Sequence, residues 1–364
     1  VPGVVGGWNA LHERFGTLEL SRLLAPAIGY ARDGVPMSAK FAAALTNARP
    51  LLEKHAGSTS VFLSQQAAVG NLLRQPGLAN TFERIAAHGR DGFYEGSVAE
   101  DIVQTLREAG SPMTTEDLFT FEPEWVDPIS TSYRGHDLYE LPPNTQGVTA
   151  LLMANIVEGW PVAEFGHTTG RGIHAWVETK LRAFAERDAL IADPRVSTVP
   201  MERFLDKDLA RGHREAINLE VTAGAKTNND DGDTVYLCAV DRNGMAVSMI
   251  QSLYLGFGSG ITAERSGVVL HNRGRGFVLD AEHPNALAGG KRPYHTLIPG
   301  MLMRDGKLHT VFGTMGADAQ AQVHLQLLLG FVDFELEPQS AIETPRWVSG
   351  ADANGAPWLR VEQR

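Results

Sequence analysis

The stretch Gly232-Asp233-Thr234-Val235-Tyr236-Leu237-Cys238-Ala239-Val240 marks the point at which the sequence changes from polar residues to apolar and β-branched ones. Residues 223–233 are polar, contain two glycines and show no hydrophobic period, which predicts an exposed, mobile linker or an ordinary surface loop. From Thr234 onward the apolar and β-branched residues predict a strand. The turn Asp241-Arg242-Asn243-Gly244 then leads to a second apolar run over residues 245–250, so the two runs predict a β-hairpin.

The chain before this hairpin carries helical patterns. Apolar residues recur at helical spacing between Leu20 and Ala31, and again between Ile173 and Ala185, where the pattern ends near Asp193-Pro194. Thr114-Thr115-Glu116-Asp117 is typical of a capped helix start. Residues 1–233 are therefore predicted to be mostly helical.

The chain after the hairpin alternates strands with a helix. Apolar runs predict strands over residues 296–303 and 308–312, joined by the turn Arg304-Asp305-Gly306-Lys307. A helix is expected over residues 319–332. The sequence thus predicts an α+β protein, with a strand-rich part over residues 234–364 that combines with residues 1–233 into one structural domain.

Composition narrows the class of protein. With 364 residues, of which 43% are hydrophobic and 21% charged, the chain can bury a large core. The formal net charge of −11 argues against nucleic acid or anionic lipid as the main partner, and no apolar run is long enough to predict a membrane span. The single cysteine, Cys238, excludes a disulfide within the chain and a metal site built from cysteines.

Several short motifs fail on their spacing. A calcium loop centred on Gly232 would need Asp and Glu where the chain has Thr227 and Cys238. Gly289-Gly290-Lys291 is followed by Arg292, whereas a phosphate-binding loop needs Ser or Thr there. Neither a histidine pair at metal-ligand spacing nor a serine elbow between a strand and a helix is present. We therefore expect no metal and no cofactor.

Thr234 remains as a candidate nucleophile. A threonine hydroxyl reacts poorly unless a base stands beside it. A chain cut between Asp233 and Thr234 would give Thr234 a free α-amino group, whose reference pKa of about 7.7–8.0 suits a general base. From the residue alone, Thr234 is better explained as a β-branched residue that opens a strand.

Seven short blocks spread along the chain form a distinctive set: Val1-Pro2-Gly3-Val4-Val5-Gly6-Gly7, Phe15-Gly16-Thr17, Ala31-Arg32-Asp33-Gly34, Leu141-Pro142-Pro143-Asn144-Thr145-Gln146-Gly147, Gly232-Asp233-Thr234, Phe257-Gly258-Ser259-Gly260 and Lys291-Arg292-Pro293. In this order they resemble the blocks of the γ-glutamyltransferases, and more narrowly those of the branch similar to cephalosporin acylases. The resemblance implies the αββα four-layer sandwich of the N-terminal-nucleophile hydrolases, formed from a precursor that cleaves itself. Relative to that fold, we expect terminal segments to be missing from this sequence.

The resemblance also implies catalytic residues. Autocleavage would fall between Asp233 and Thr234, with Thr234 as the nucleophile of both cleavage and catalysis. Ser252 occupies the position of a second hydroxyl beside the nucleophile. Gly316 and Ala317 occupy the positions of the paired glycines whose backbone N–H groups hold the oxyanion.

Residues expected to bind substrate depart from the family pattern. Tyr254 stands where an asparagine usually contacts the γ-glutamyl donor, and His295-Thr296 replaces the serine pair that holds its α-carboxylate. The acidic partner of the donor's α-ammonium is replaced by Gly276, with Arg273 and Arg275 nearby. Arginines favour a second carboxylate, as in a glutaryl group, over an ammonium group.

Taken together, the resemblance implies a self-processing N-terminal-threonine amidase or acyltransferase that cleaves γ-glutamyl amides such as glutathione, by hydrolysis or by transfer. Two alternatives stay open: a glutaryl (cephalosporin-type) acylase, and an uncleaved, catalytically silent homologue that only binds such ligands. The partners implied are the small-molecule substrate and the large and small fragments of one precursor. Export to the periplasm or the medium is suggested by the resemblance alone.

Overall fold

The computed structural model describes residues 1–221, 232–352 and 354–363. The helices are α1 (Val4–Phe15), α2 (Leu20–Asp33), α3 (Ala39–Leu52), α4 (Ala56–Ser58), α5 (Pro76–His88), α6 (Asp91–Tyr94), α7 (Gly96–Glu108), α8 (Thr115–Phe119), α9 (Gly147–Val157), α10 (Val162–Phe165), α11 (Gly170–Leu190), α12 (Met201–Leu205), α13 (Lys207–Glu215), α14 (Ala319–Val332) and α15 (Pro338–Glu343). A π-helical turn covers Thr59–Leu63 and a 3₁₀ turn covers Arg273–Gly276.

The strands of the described residues are mostly short. They are β1 (Val35–Pro36), β2 (Leu72–Leu73), β3 (Ile129–Tyr133), β4 (His136–Glu140), β5 (Gly232–Val240), β6 (Ala246–Leu255), β7 (Thr262–Ala263), β8 (Val268–Val269), β9 (Gly300–Arg304), β10 (Lys307–Phe312), β11 (Trp347–Ala351) and β12 (Pro357–Val361). Within the described residues, none of the helices combines the length and the apolar character needed to cross a membrane.

The chain forms two compact units. The first consists of Val1–Trp125 and Leu253–Asn272, and the second of Val126–Ser252 and Arg273–Arg364. Each unit contains chain from both sides of the Asp233–Thr234 bond. The boundaries of the two units therefore differ from the predicted division of the chain into fragments at this bond.

The first unit is held together by helices packed around the returning segment Leu253–Asn272. Its main core includes Ile102 and Leu118 of the helical part and Ala263 and Leu270 of the returning segment. Buried hydroxyl groups add polar contacts between the two pieces, as where Thr81 Oγ1 donates to the Ser266 carbonyl at 2.8 Å.

The second unit is built around a four-stranded antiparallel sheet with the strand order β10-β9-β4-β3. Helix α9 packs on β3 and β4 and also contacts α11 and α14. All eleven residues of α9 are buried, which explains why its sequence is apolar on every side. The core around it includes Leu151, Trp176, Phe184, Leu302 and Trp347.

The predicted hairpin is present as β5 and β6, which are neighbours in a two-stranded sheet. Strand β5 begins at Gly232, two residues before the predicted start, because backbone pairing extends to residues whose side chains are poor strand formers. Residues 223–231 of the predicted linker lie outside the described residues.

The other predictions from periodicity are mostly confirmed. Helices α2, α11 and α14 occupy the predicted ranges, and α8 begins with a capping box between Thr114 and Asp117. The strand predicted over residues 296–303 is wrong at its start, since β9 begins only at Gly300. Pro299 has no N–H to donate to a sheet, and the chain before it is irregular.

Candidate active site

Thr234 and Ser252 lie side by side on the β5–β6 hairpin. Thr234 Oγ1 and Ser252 Oγ are 2.9 Å apart, a distance at which either hydroxyl can donate to the other. Thr234 is buried in the uncut chain, with 6% of its surface exposed. Asp233 also lies in β5, but its side chain is outside the described part of the structure.

Tyr236 connects the same face of β5 to the loop that follows β10. A Cβ at Gly313 would lie 2.3 Å from the Tyr236 ring, so only glycine fits beneath it. The Tyr236 hydroxyl is 3.2 Å from Ser248 Oγ, which is itself 3.1 Å from the Gly300 carbonyl oxygen. Burial raises the pKa of Tyr236 above its usual value, so this phenol is neutral at physiological pH. The hairpin is thereby fixed against β9 and the loop at residues 313–318.

This loop holds the two candidate oxyanion residues in unusual backbone conformations. Gly316 has a φ of 126°, and Ala317 has a φ of 48° although it carries a Cβ. A left-handed conformation costs a non-glycine residue roughly 1–2 kcal/mol, which the surrounding contacts must offset. Ala317 is 2% exposed, and helix α14 begins two residues after it.

A buried polar network contacts this loop at Ala317 and Asp318. Arg187 Nη1 is 3.0 Å from Asp318 Oδ1 and 3.0 Å from Gln146 Oε1. The Tyr294 hydroxyl shares its one hydrogen between the same two acceptor atoms, which lie at 2.9 Å (Gln146) and 3.0 Å (Asp318). Although burial opposes it, the carboxylate of Asp318 raises the pKa of Arg187, and burial raises the pKa of Tyr294. Arg187 is therefore a permanent cation, and Tyr294 a permanent donor.

Arg273 and Thr296 form a second polar pair in the same unit. The Arg273 guanidinium lies 3.3 Å (Nη1) and 3.4 Å (Nη2) from Thr296 Oγ1. His295 is held by its backbone N–H, which donates to the Asn144 carbonyl at 2.9 Å, and by its Nδ1, which accepts from the Leu297 N–H at 3.2 Å. These contacts fix the orientation of the chain on both sides of Thr296.

Gly276, at the end of the 3₁₀ turn, has no room for a side chain. A Cβ at this position would lie 2.6 Å from the Tyr294 carbonyl oxygen, closer than non-bonded atoms approach. The backbone therefore accepts no acidic residue here without moving.

The remaining sequence-predicted site residue, Tyr254, belongs to the first unit, where it has a φ of 79°. The first unit also contains a cavity of about 510 Å³, lined mainly by polar residues that include Lys54, His55, Glu108 and Glu264. None of the predicted catalytic residues lines this cavity. Among the described residues, no group of three or more His, Cys, Asp or Glu side chains is arranged to hold a metal ion.

Sequence reasoning missed the network of Gln146, Arg187, Tyr294 and Asp318. A signal was available on α11, where Lys180, Phe184 and Arg187 follow one another at helical spacing. Both cations lie over the Phe184 ring, so two charged residues occupy the core face of this helix. Charged residues on a core face are buried only with partners, which marks them as members of a network.

Comparison with known proteins defines the class and then the family. The chain has the fold of the N-terminal-nucleophile hydrolases: it superimposes on a cephalosporin acylase from Bacillus halodurans with a TM-score of 0.86 and 36% identity, over 95% of this chain and 65% of that one. This confirms the predicted α+β class and its αββα architecture. The family described as gamma-glutamyltranspeptidase matches residues 1–363, and the chain belongs to this family.

Two similar proteins are named for different activities. The chain is 38% identical to the glutathione hydrolase-like YwrD proenzyme of Bacillus subtilis, over 100% of this chain and 70% of that protein. It is 36% identical to the oxamate amidohydrolase proenzyme of Klebsiella pneumoniae, over 96% of this chain and 67% of that protein. The chain thus spans about two thirds of the length of the proteins it matches.

Proposed function

We propose that this protein is a self-processing N-terminal-threonine amidase or acyltransferase that cleaves γ-glutamyl amides, with Thr234 as its nucleophile. The observation that carries the proposal is the 2.9 Å pairing of Thr234 Oγ1 with Ser252 Oγ at the start of a strand. Membership in a family whose named relatives are proenzymes supports it.

Processing would begin with attack of Thr234 Oγ1 on the carbonyl carbon of Asp233. The bond from that carbon to the Thr234 nitrogen breaks, the nitrogen takes the hydroxyl proton, and an ester joins the two residues. Water then hydrolyses the ester, which leaves a carboxylate on Asp233 and a free α-amine on Thr234. Ser252, hydrogen bonded to the attacking hydroxyl, orients it for this step.

Catalysis would use the same hydroxyl. The α-amine of Thr234 takes the Oγ1 proton as the oxygen attacks the substrate amide, and the backbone N–H groups of Gly316 and Ala317 stabilise the oxyanion that forms. The leaving amine takes the proton, and an acyl-enzyme remains. Water or an acceptor amine then releases the acyl group, which accounts for both hydrolysis and transfer.

A second candidate acyl group is glutaryl, and two observations favour it. Gly276 leaves no room for a carboxylate to pair with a substrate ammonium group. The guanidinium of Arg273, beside Thr296 Oγ1, instead offers charge and hydrogen bonds to a carboxylate. A chain that prefers a terminal carboxylate without an α-ammonium group would be an acylase of the glutaryl type.

The experiment compares γ-glutamyl-p-nitroanilide with glutaryl-p-nitroanilide as substrates of the purified full-length protein. We expect the wild type to release p-nitroaniline and Thr234→Ala to release none. Thr131→Ala is the matched control, because Thr131 is also buried and its Oγ1 donates to Asn155 at 2.6 Å, away from the hairpin. Binding of both compounds without release by the wild type would favour the silent homologue and contradict the proposal.

The same assay tests whether Arg273 binds the carboxylate of the acyl group. If Arg273 binds the acyl carboxylate, Arg273→Met should lower kcat/KM by about 10–100-fold, the loss expected for one charge-assisted hydrogen bond. Arg275→Met is the control in the same turn, because Arg275 is exposed. Equal kcat/KM values for the two arginine variants would remove Arg273 from the substrate site.

A further inference from the structure

Gln146 has an unusual set of partners for a buried glutamine. Its side chain is inaccessible to solvent, and its Nε2 donates to the carbonyl oxygens of Thr296 and Ala317, each at 3.1 Å. Its Oε1 accepts from Arg187 Nη1 at 3.0 Å and from the Tyr294 hydroxyl at 2.9 Å. Both amide hydrogens and both lone pairs are thus used.

The two carbonyl groups that Gln146 holds belong to the two loops of the candidate site. Ala317 is one of the candidate oxyanion residues, and Thr296 is the candidate contact to the substrate carboxylate. The side chain of Gln146 therefore contacts both loops directly. Arg187 and Tyr294 strengthen the connection, because each binds Asp318 as well as Gln146.

We propose that Gln146 is a positioning residue that fixes the oxyanion loop relative to the substrate-binding loop. The inference rests on the proposed function, since it assigns Gln146 a role in that reaction through Ala317. Ala317 holds a strained, positive φ, and such a conformation persists only where neighbouring contacts determine it. The Gln146 amide supplies such a contact at the Ala317 carbonyl. The next residue, Asp318, is held through its carboxylate by Arg187 and Tyr294.

A primary amide suits this position on chemical grounds. The site needs two donors toward the carbonyl groups and an acceptor toward Arg187 and Tyr294, and an amide provides both. A glutamate has the same shape but would turn a carboxylate oxygen toward two carbonyl oxygens. A methionine has a similar volume and would make none of the four hydrogen bonds.

The test uses the full-length protein and two variants of Gln146. Gln146→Glu retains the acceptors for Arg187 and Tyr294, so we expect it to fold. If Gln146→Met does not fold, the kinetics of Gln146→Glu still test the inference. The matched control is Gln326→Met, because Gln326 is also buried and its amide donates to the carbonyls of Gln322 and Trp347, on α14 and β11.

We expect both Gln146 variants to lower kcat by about 100-fold, the effect of misplacing an oxyanion donor, with KM changed less than about threefold. KM should be kept because Arg273 continues to hold the Thr296 side chain. Gln326→Met should lower the melting temperature yet keep kcat within about threefold of the wild type. The split between kcat and KM separates a positioning role from a loss of stability.

The outcomes are distinguishable from those of the proposed function. An inactive wild type would contradict the proposed function itself, and the inference would fall with it. An active wild type accompanied by a Gln146→Glu variant of equal kcat would overturn the inference alone. Equal kcat losses in the Gln146 and Gln326 variants would overturn it too, because the effect would then follow from stability.

Discussion

At the scale of single residues, the candidate chemistry depends on two hydroxyl groups 2.9 Å apart. Thr234 carries the hydroxyl that would react, and Ser252 the one that would orient it. A threonine that opens a strand is commonplace, so this pairing distinguishes Thr234 from an ordinary strand residue.

Replacing Ser252 tests the orienting role. Ser252→Ala should keep the fold and lower kcat by about 10–100-fold, since one hydrogen bond to the nucleophile is lost. Ser252→Thr should recover most of the activity, because it restores the hydroxyl. Steady-state kinetics with an anilide substrate gives the comparison, and a Ser252→Ala variant as active as the wild type would show that the contact is dispensable.

The oxyanion loop offers a second test at this scale. Gly316→Ala should destabilise the protein by about 1–3 kcal/mol, because its φ of 126° lies in a region that residues with a Cβ rarely adopt. It should also lower kcat by about 100-fold by displacing the loop. Ala317→Gly should keep kcat, since the donor is the main-chain N–H and glycine accepts the same φ.

Thermal unfolding and kinetics measure these two variants against Gly289→Ala. Gly289 is the control because a Cβ there meets no atom within 4 Å. A Gly316→Ala variant as stable and as active as the Gly289→Ala variant would exclude a strained, functional loop at this position.

At the scale of elements, the chain before the candidate substrate loop is tied to the chain that follows α11. The carboxylate of Asp193 is 1% exposed, accepts from the Arg292 backbone N–H at 2.8 Å and pairs with Arg195. Burial opposes ionisation, yet these hydrogen bonds lower the pKa of Asp193 to about 2. The ionised form is therefore favoured by folding.

This gives a pH dependence of defined sign. Because the folded pKa lies below the unfolded value of about 3.9, Asp193 stabilises the native state above pH 4, and the contribution is lost as pH falls toward 2. Asp193→Asn should remove roughly 1–2 kcal/mol at pH 7 and flatten this part of the profile. Urea unfolding at several pH values measures it, and parallel profiles for both proteins would refute the assignment.

An element can be predicted from the sequence when its own residues carry the hydrophobic pattern that forms it, and not when distant residues are needed. Helix α14 and the β5–β6 hairpin follow from periodicity and a turn, because their own residues carry the signal. Strands β3 and β4 were missed: they are short and lie in the helical half. β3 pairs only with β4, and the partner of β4 on its other side is β9, which begins at residue 300, so this second pairing is a long-range contact. The apolar run at residues 296–299 predicts a strand, but Pro299 has no N–H to donate to a sheet, so β9 begins only at Gly300.

The candidate site shows the same division. Thr234, Ser252, Gly316 and Ala317 were predicted through the resemblance, and their catalytic roles stay predictions. Gln146 stood in one of the quoted blocks, but its role depends on Thr296 and Ala317, which are 150 and 171 positions away. Only the folded chain reveals that one amide contacts both loops.

At the scale of the whole molecule, a cut at Asp233–Thr234 would leave two fragments that interlock. Segments from both sides of the bond build each compact unit. The later segment supplies Arg265, whose Nε is 2.9 Å from Asp101 Oδ1 in the first unit, and β9, which pairs with β4 in the second.

We therefore expect the fragments to remain together after processing. Under native conditions they should coelute in size-exclusion chromatography, and they should separate only in denaturant, because each carries part of both cores. Separation of the fragments in native buffer would contradict the arrangement of the two units described here.

The central claim, that Thr234 becomes a new amino terminus, is tested most directly by the intact mass of the denatured full-length protein. We expect the wild type to give two species, the second beginning with Thr-Val-Tyr, and Thr234→Ala to give one uncut chain. A single uncut species from the wild type, or normal fragments from Thr234→Ala, would contradict the claim.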